Sequence, residues 1–442
     1  MRRGVPLLLL LAAGCRSAEQ VPHLVEAEVA AIAPVKAEPC VVPCAAAVPA
    51  PEGPLDLAAL WALALAHNPS LREAAAAAEA ARGKLIQSGK YPNPRFTYHV
   101  EELGSSVAPP GNITVEVSQE IVTAGKRRLD VAANERNLDA NMVALLGRKF
   151  EVLTRVRRAY YEYLGLAFTL QVNREVVRSL EEGVDVTRRL VEDAKTRPRT
   201  DLLRLQALLD QAKINLVRTE TNLDAAWKQL AAEVGVAALP APAGRDDLPE
   251  AAPAWRAEAV TERVLAANSE LRQGSLVAER ARLEYERARA EAVPNVTVSG
   301  GYIRGFVEET AGGVITVETA IPVWDRKQGL IHEARARWAE AQAAERSTAN
   351  RLRRDTAEAF ARYEGAREQV ERLTRVVLPR LEESLDLVRK GYQAGAKDLT
   401  FADVQLAVET LNDARLKLAD ARRELWRAVA DLQGLMQLDL CE

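Results

Sequence analysis

Two hydrophobic periods alternate along the 442-residue chain. Short stretches place an apolar residue at every second position, long stretches at every third or fourth. The period of two begins at Arg95, where Phe96, Tyr98 and Val100 stand opposite Arg95, Thr97, His99 and Glu101. After Gly111, Ile113, Val115 and Val117 alternate with Thr114, Glu116 and Ser118. The pattern returns with Val296 and Val298 against Thr297 and Ser299, then with Ile315, Val317, Thr319 and Ile321 against Thr316, Glu318 and Ala320. Successive side chains of a strand point to opposite faces, so each stretch predicts a strand with one apolar and one polar face. Gly-bearing loops over 104–111 and 304–313 join the strands into two hairpins.

The helical period dominates elsewhere. A first helical stretch runs from Leu55 to about Lys90 and stops at Tyr91-Pro92-Asn93-Pro94. From Gly125 to about Thr196 there is no proline, and Leu138, Val143, Leu146, Phe150, Leu153, Val156, Tyr160 and Leu164 recur at helical spacing. Some 70 helical residues would reach roughly 105 Å at 1.5 Å per residue. A second long stretch, from about Gln328 to Ala394, contains Pro379, where periodicity predicts a kink rather than an end. Each long helix breaks, near Lys195–Arg199 and near Gly395–Thr400, and returns with heptad-like apolar residues such as Leu411, Leu418, Leu425 and Leu432. The expected product is an antiparallel hairpin of long helices with an exposed tip.

This order occurs twice. Leu65-Ala66-His67-Asn68 and Leu71-Arg72 recur as Leu265-Ala266-Ala267-Asn268 and Leu271-Arg272, and Ile113-Thr114-Val115-Glu116 recurs as Ile315-Thr316-Val317-Glu318. The offsets are 265−65 = 200 and 315−113 = 202. The chain therefore divides into an N-terminal address at 1–15, a tether at 16–54, a first unit at 55–244 and a second at 245–442. The fold class is mainly α with a four-stranded β contribution, internally duplicated.

Charged residues make up 27% of the chain and aromatics 5%, a composition suited to long helices packed side by side. The net charge of −3, with no concentrated basic face, argues against a nucleic-acid partner. Arg2 and Arg3, an apolar run from Val5 to Ala13, and Gly14-Cys15 describe a secretory signal too short to span a bilayer. A Cys after a small residue resembles a bacterial lipoprotein box, which makes Cys15 the expected lipidation site and, with Arg16 after it, favours the outer membrane. Cys40 and Cys44 in the Ala/Pro-rich tether, and Cys441, read as idle thiols or a small disulfide loop, because the spacing is not C-x-x-C and no ligand cluster accompanies them. No metal site and no cofactor are expected.

An export signal combined with strands of bilayer-crossing length points to strands in lipid. Phe96, Tyr98, Val115, Val117, Val298, Ile315 and Val317 are then lipid-facing, and Arg95, His99, Glu101, Glu116 and Glu318 lumen-facing. Four strands cannot close a barrel, and a spanning sheet must have no open edge, so several copies must combine. Four scattered His and no nucleophile or phosphate-loop motif make an enzyme the weakest reading. A secreted periplasmic coiled-coil scaffold would explain signal and helices but not the strand pairs.

Tyr91-Pro92-Asn93-Pro94, Gln119 with Ala124-Gly125-Lys126-Arg127, Ile321-Pro322-Val323-Trp324-Asp325-Arg326-Lys327-Gln328-Gly329, and Gly395 with Leu399-Thr400 give the chain a family likeness. It resembles the TolC-type outer-membrane efflux proteins from Leu57 to Gln437, and among them the cobalt-zinc-cadmium and copper-silver branch. The resemblance implies a homotrimer with one twelve-stranded barrel and a periplasmic helical tunnel. It also implies docking of the tips, around Arg197, Pro198 and Arg199 and around Gly395, Ala396 and Lys397, to a periplasmic adaptor that leads to an inner-membrane RND-type pump. At the first tip the usual Gly is missing, Ala194 or Pro198 standing in its place. The function implied is a passive exit duct for metal cations. A multidrug or type I protein secretion duct is the alternative.

Overall fold

The computed structural model describes residues 55–101, 111–192, 198–240, 248–249, 251–305, 310–394, 398 and 400–438. Its first unit consists of α1 (Leu57–His67), α2 (Pro69–Ser88), β1 (Arg95–Glu101), β2 (Asn112–Ile121), α3 (Lys126–Glu192) and α4 (Arg199–Val234). The second repeats the order with α5 (Ala257–Ala267), α6 (Ser269–Ala290), β3 (Val296–Gly305), β4 (Ala311–Thr319), α7 (Gln328–Arg372), a π turn over Leu373–Val377, α8 (Leu378–Gln393) and α9 (Phe401–Leu435).

The stretch expected as one helix from Leu55 to Lys90 is two. Pro69 has no N–H to continue the ladder of α1, so the chain turns at Asn68, whose carboxamide oxygen accepts from the Ser70 N–H at 3.0 Å and starts α2. The same residue closes another helix: Asn68 Nδ2 donates to the Glu233 carbonyl at the end of α4, 2.8 Å away. Asn268 repeats both roles, capping α6 at the Glu270 N–H and donating to the Leu435 carbonyl at the end of α9. The duplicated motif is thus a pair of joints between short and long helices.

Helix α3 has 67 residues, roughly 100 Å at 1.5 Å per residue. Its lower half packs on α4 through Val176, Leu180 and Val184 against Leu202, Leu205 and Leu209. Around its middle, α1 and α5 buttress the long helices in a core that contains Leu60, Trp61, Val152, Val156, Leu230, Val260, Tyr363, Trp426 and Leu432. Leu411, Leu418, Leu425 and Leu432 are all buried, whereas Leu146 and Phe150 on α3 are only partly so. Pro379 does not end the second long helix. The ladder widens to a π turn just before it, with Leu373 packed on Leu418 and Ala421, and α8 continues.

Candidate functional site: a two-faced sheet above long helical hairpins

The four strands form one antiparallel sheet in the order β1-β2-β3-β4. Its register aligns the apolar rows across the middle of the sheet, Phe96 with Val117, Tyr98 with Val115, Val115 with Tyr302, Val298 with Val317, and Gly300 with Ile315, while Gln119 opposite Val298 and Arg304 opposite Ile113 mark the two ends of this side. All seven side chains assigned to the apolar face therefore share one side of the sheet, where Ile315 is 81% exposed, Phe96 69% and Val317 65%. Arg95, His99, Glu101, Glu116 and Glu318 share the other, with His99 Nε2 3.8 Å from Glu101 Oε1. Glu116 lies across from Gly301, where a Cβ would stand 2.6 Å from the Val115 carbonyl oxygen, so only glycine fits there. Ile321, expected in the fourth strand, lies beyond its end at Thr319, because Pro322 follows and cannot donate to a ladder.

Below the sheet, strand becomes helix through a buried polar joint. Ala124 and Gly125 adopt left-handed conformations, with φ of 53° and 66°, and turn the chain into α3. Lys126, 1% exposed, donates to Asn295 Oδ1 at 2.7 Å and pairs with Glu291 at 3.2 Å. Thr123 donates through Oγ1 to the Pro294 carbonyl at 2.7 Å, and Asn295 Nδ2 donates to Glu120 at 2.6 Å. The first unit is thereby fastened to the second at the level where sheet meets helices. Lys126 was visible in the sequence within Gly125-Lys126-Arg127, but its partners, about 170 positions away, were not.

At the other end of the helices, Pro198 is the residue before α4 and Arg199 its first, both exposed. Arg197, Gly395, Ala396 and Lys397 lie outside the described residues, as do Cys15, Cys40, Cys44 and Cys441. Thr400 and Asp403 form a reciprocal cap at the start of α9, which Thr-x-x-Asp signals in the sequence. Hydrogen bonding from Thr400 holds the Asp403 carboxyl below the usual carboxylate range. At mid-height, a cavity of about 500 Å³ between α3, α7 and α9 is lined by Arg155, Arg158, Arg351, Arg362, Asp355 and Asp431, with Asp431 bonded to both Arg158 and Arg362. Among the described residues no group of His, Cys, Asp and Glu is placed to hold a metal ion, and no helix is long and apolar enough to cross a membrane.

A sheet with one exposed apolar face, seated on helices far longer than a globular domain needs, defines a channel-forming subunit rather than an enzyme. The chain belongs to the outer membrane efflux protein family, whose profile matches twice, at residues 60–236 and 260–436. It is 25% identical to the cobalt-zinc-cadmium resistance protein CzcC of Cupriavidus metallidurans over 391 residues, 87% of this chain and 90% of that one. The fold is that of the outer membrane protein VceC of Vibrio cholerae, with a TM-score of 0.72 at 19% identity over 86% of this chain and 95% of that one. It is equally that of CusC, with a TM-score of 0.73 at 16% identity over 87% and 92%. The family and its structural neighbours are outer-membrane channels, so the TolC-like class read from the sequence motifs holds.

Proposed function

We propose that this protein is the outer-membrane exit duct of a tripartite efflux system for metal cations. The observation that carries the reading is the sheet: four strands with a single continuous apolar face and two open edges, in a member of an outer-membrane efflux family. A lone four-stranded sheet in lipid would leave its edge N–H and C=O groups unsatisfied at several kcal/mol each, so copies must join edge to edge. Three copies supply twelve strands, enough for a water-filled barrel lined by the polar face. Phe96, Tyr98, Val115, Val117, Val298, Ile315 and Val317 then meet lipid, and Arg95, His99, Glu101, Glu116 and Glu318 line the lumen.

The duct performs no chemistry. Its long helices carry the lumen through the periplasm, and the tips around Arg197–Arg199 and Gly395–Lys397 dock to a periplasmic adaptor linked to an inner-membrane RND-type pump that supplies the energy. Cys15 carries a lipid anchor. Metal cations are the substrate class suggested by the likeness to CzcC, a cobalt-zinc-cadmium resistance protein. The test is deletion of the gene from its host. Loss of cobalt, zinc and cadmium tolerance, restored by the wild type but not by Gly395→Val at the second tip, supports the reading. Unchanged metal tolerance with new sensitivity to organic toxicants would reassign the duct to multidrug export. In planar bilayers the purified protein should conduct.

A further inference from the structure

Strands β1 and β4 are the edges of the sheet, and the duplication supplies a rule for covering them. Inside the chain, β2 of the first unit pairs with β3 of the second, Glu116 opposite Gly301. An offset of 202 relates the units at this level: Gly125 to Lys327, both left-handed just before a long helix, and Asn93 to Asn295. Applied to both partners, it turns β2 against β3 into β4 against β1 of another copy. We propose that neighbouring copies pair β4 with β1 in this register, so that Glu318 of one copy stands opposite His99 of the next, beside Glu101. This rests on the homotrimer proposed above.

The faces agree. Val317 falls opposite Val100, Thr319 opposite Tyr98 and Ile321 opposite Phe96 on the apolar side, while Thr316 falls opposite Glu101 on the polar side. A slip of one residue would set apolar side chains against charges; a slip of two in one direction would oppose Glu318 to Glu101, like charges across a pair, and in the other would set Glu318 against Thr97 and lose its charge-complementary partner. The joint below agrees as well. In the first unit, Thr123 and Lys126 are fastened to Pro294 and Asn295. Their counterparts Asp325 and Gln328, and Asn93 on the opposite edge of the chain, are exposed. Trp324, beside Asp325, is 88% exposed as well, apolar surface at the edge that the next copy would adjoin.

The closure geometry is a third support. A row of hydrogen bonds falls four residues behind the repeat between β2 and β4, since Ile113 shares a row with Ala311 rather than with Ile315. It falls two more between β4 and the next copy's β2, because Glu318 would share a row with Thr114 rather than with Glu116. Over three copies this stagger tilts the strands by roughly 45°, taking about 3.3 Å per residue and about 4.8 Å between strands, the tilt of membrane-spanning barrels.

The register is tested by cysteine pairs in the full chain with Cys40, Cys44 and Cys441 replaced by Ser, single-cysteine chains serving as controls for Cys15. His99→Cys with Glu318→Cys, and Glu101→Cys with Thr316→Cys, should give an oxidation-dependent ladder up to trimer at least tenfold faster than Glu101→Cys with Glu318→Cys. Preference for the last pair, or no ladder from any pair in a protein that is trimeric by native mass spectrometry, overturns the register. A protein that is not trimeric overturns the functional reading itself. A second pair of variants guards against misfolding: His99→Glu should lower trimer yield several-fold, and adding Glu318→His should restore it. Failure of that rescue while the single variant is impaired also counts against the pairing.

Discussion

Lys126 shows how one side chain can decide a junction. A lysine 1% exposed is tolerated because Asn295 and Glu291 receive its ammonium, and Glu291 is held in turn by Arg287 at 2.8 Å. Lys126→Met keeps the apolar stem and removes the donor, leaving the Asn295 and Glu291 oxygens short of a partner at a cost of about 1–3 kcal/mol. A lowered melting temperature of the detergent-solubilised protein would report it. Burial opposes ionisation of Glu291, but hydrogen bonds from Arg287 and Lys126 outweigh it and hold the carboxyl below its ordinary value. A folded value below the unfolded one means the contribution is complete above about pH 4.5 and is lost as pH falls through the folded value. Glu291→Gln should therefore show a shallower loss of melting temperature on acidification below about pH 4.5 than the wild type. Asn268 is the second decisive residue, because it caps α6 and closes α9. Asn268→Ala should cost about 1–2 kcal/mol, seen as early proteolysis at the junction of α5 and α6.

Among the elements, the strands were the most legible. A period of two survives in any register that keeps the parity, so the face of every assigned strand residue could be read before the pairing was known. What the period could not supply was the order β1-β2-β3-β4, which places hairpin beside hairpin through long-range pairing of β2 with β3. If the apolar face meets lipid, Val317→Arg sets a charge near the apolar band at roughly 2–4 kcal/mol close to the midplane. The yield of heat-resistant oligomer should fall sharply, and an unchanged yield would show that this face is not in lipid. The long helices were legible from heptads. The break at Asn68 was not, because a helical hydrophobic pattern passes through it and only the capping of two helix ends by one carboxamide makes the interruption favourable.

For the whole molecule, the polar face matters through its charge. Glu116 and Glu318 occupy equivalent places in the two units, and four residues of stagger between β2 and β4 bring them to similar height when the strands are tilted. Three copies would then set six carboxylates around a narrow aqueous passage, raising the local cation concentration. Changing both to Gln should lower the cation-to-anion permeability ratio at low ionic strength and change it little at high salt, where screening already suppresses the effect. Reversal potentials in a salt gradient measure this directly. A ratio unaltered at low salt would mean that the glutamates only keep the passage wet.

The amino-acid pattern alone determined the kinds of element, their order, their duplication and the two-sidedness of the sheet. The elements, their order and the two faces follow from periodicity, which is local and needs no knowledge of what a segment packs against, and the duplication follows from residue strings that recur at offsets of 200 and 202. Tertiary structure alone decided that β2 joins β3, that Lys126 pairs with Glu291, that Asn68 and Asn268 each serve two helices, and that the ladder passes Pro379 by way of a π turn. Those outcomes depend on residues some 165 to 193 positions apart meeting at hydrogen-bonding distance, or on a backbone ladder adjusting by one residue, and neither leaves a trace in the spacing of apolar side chains.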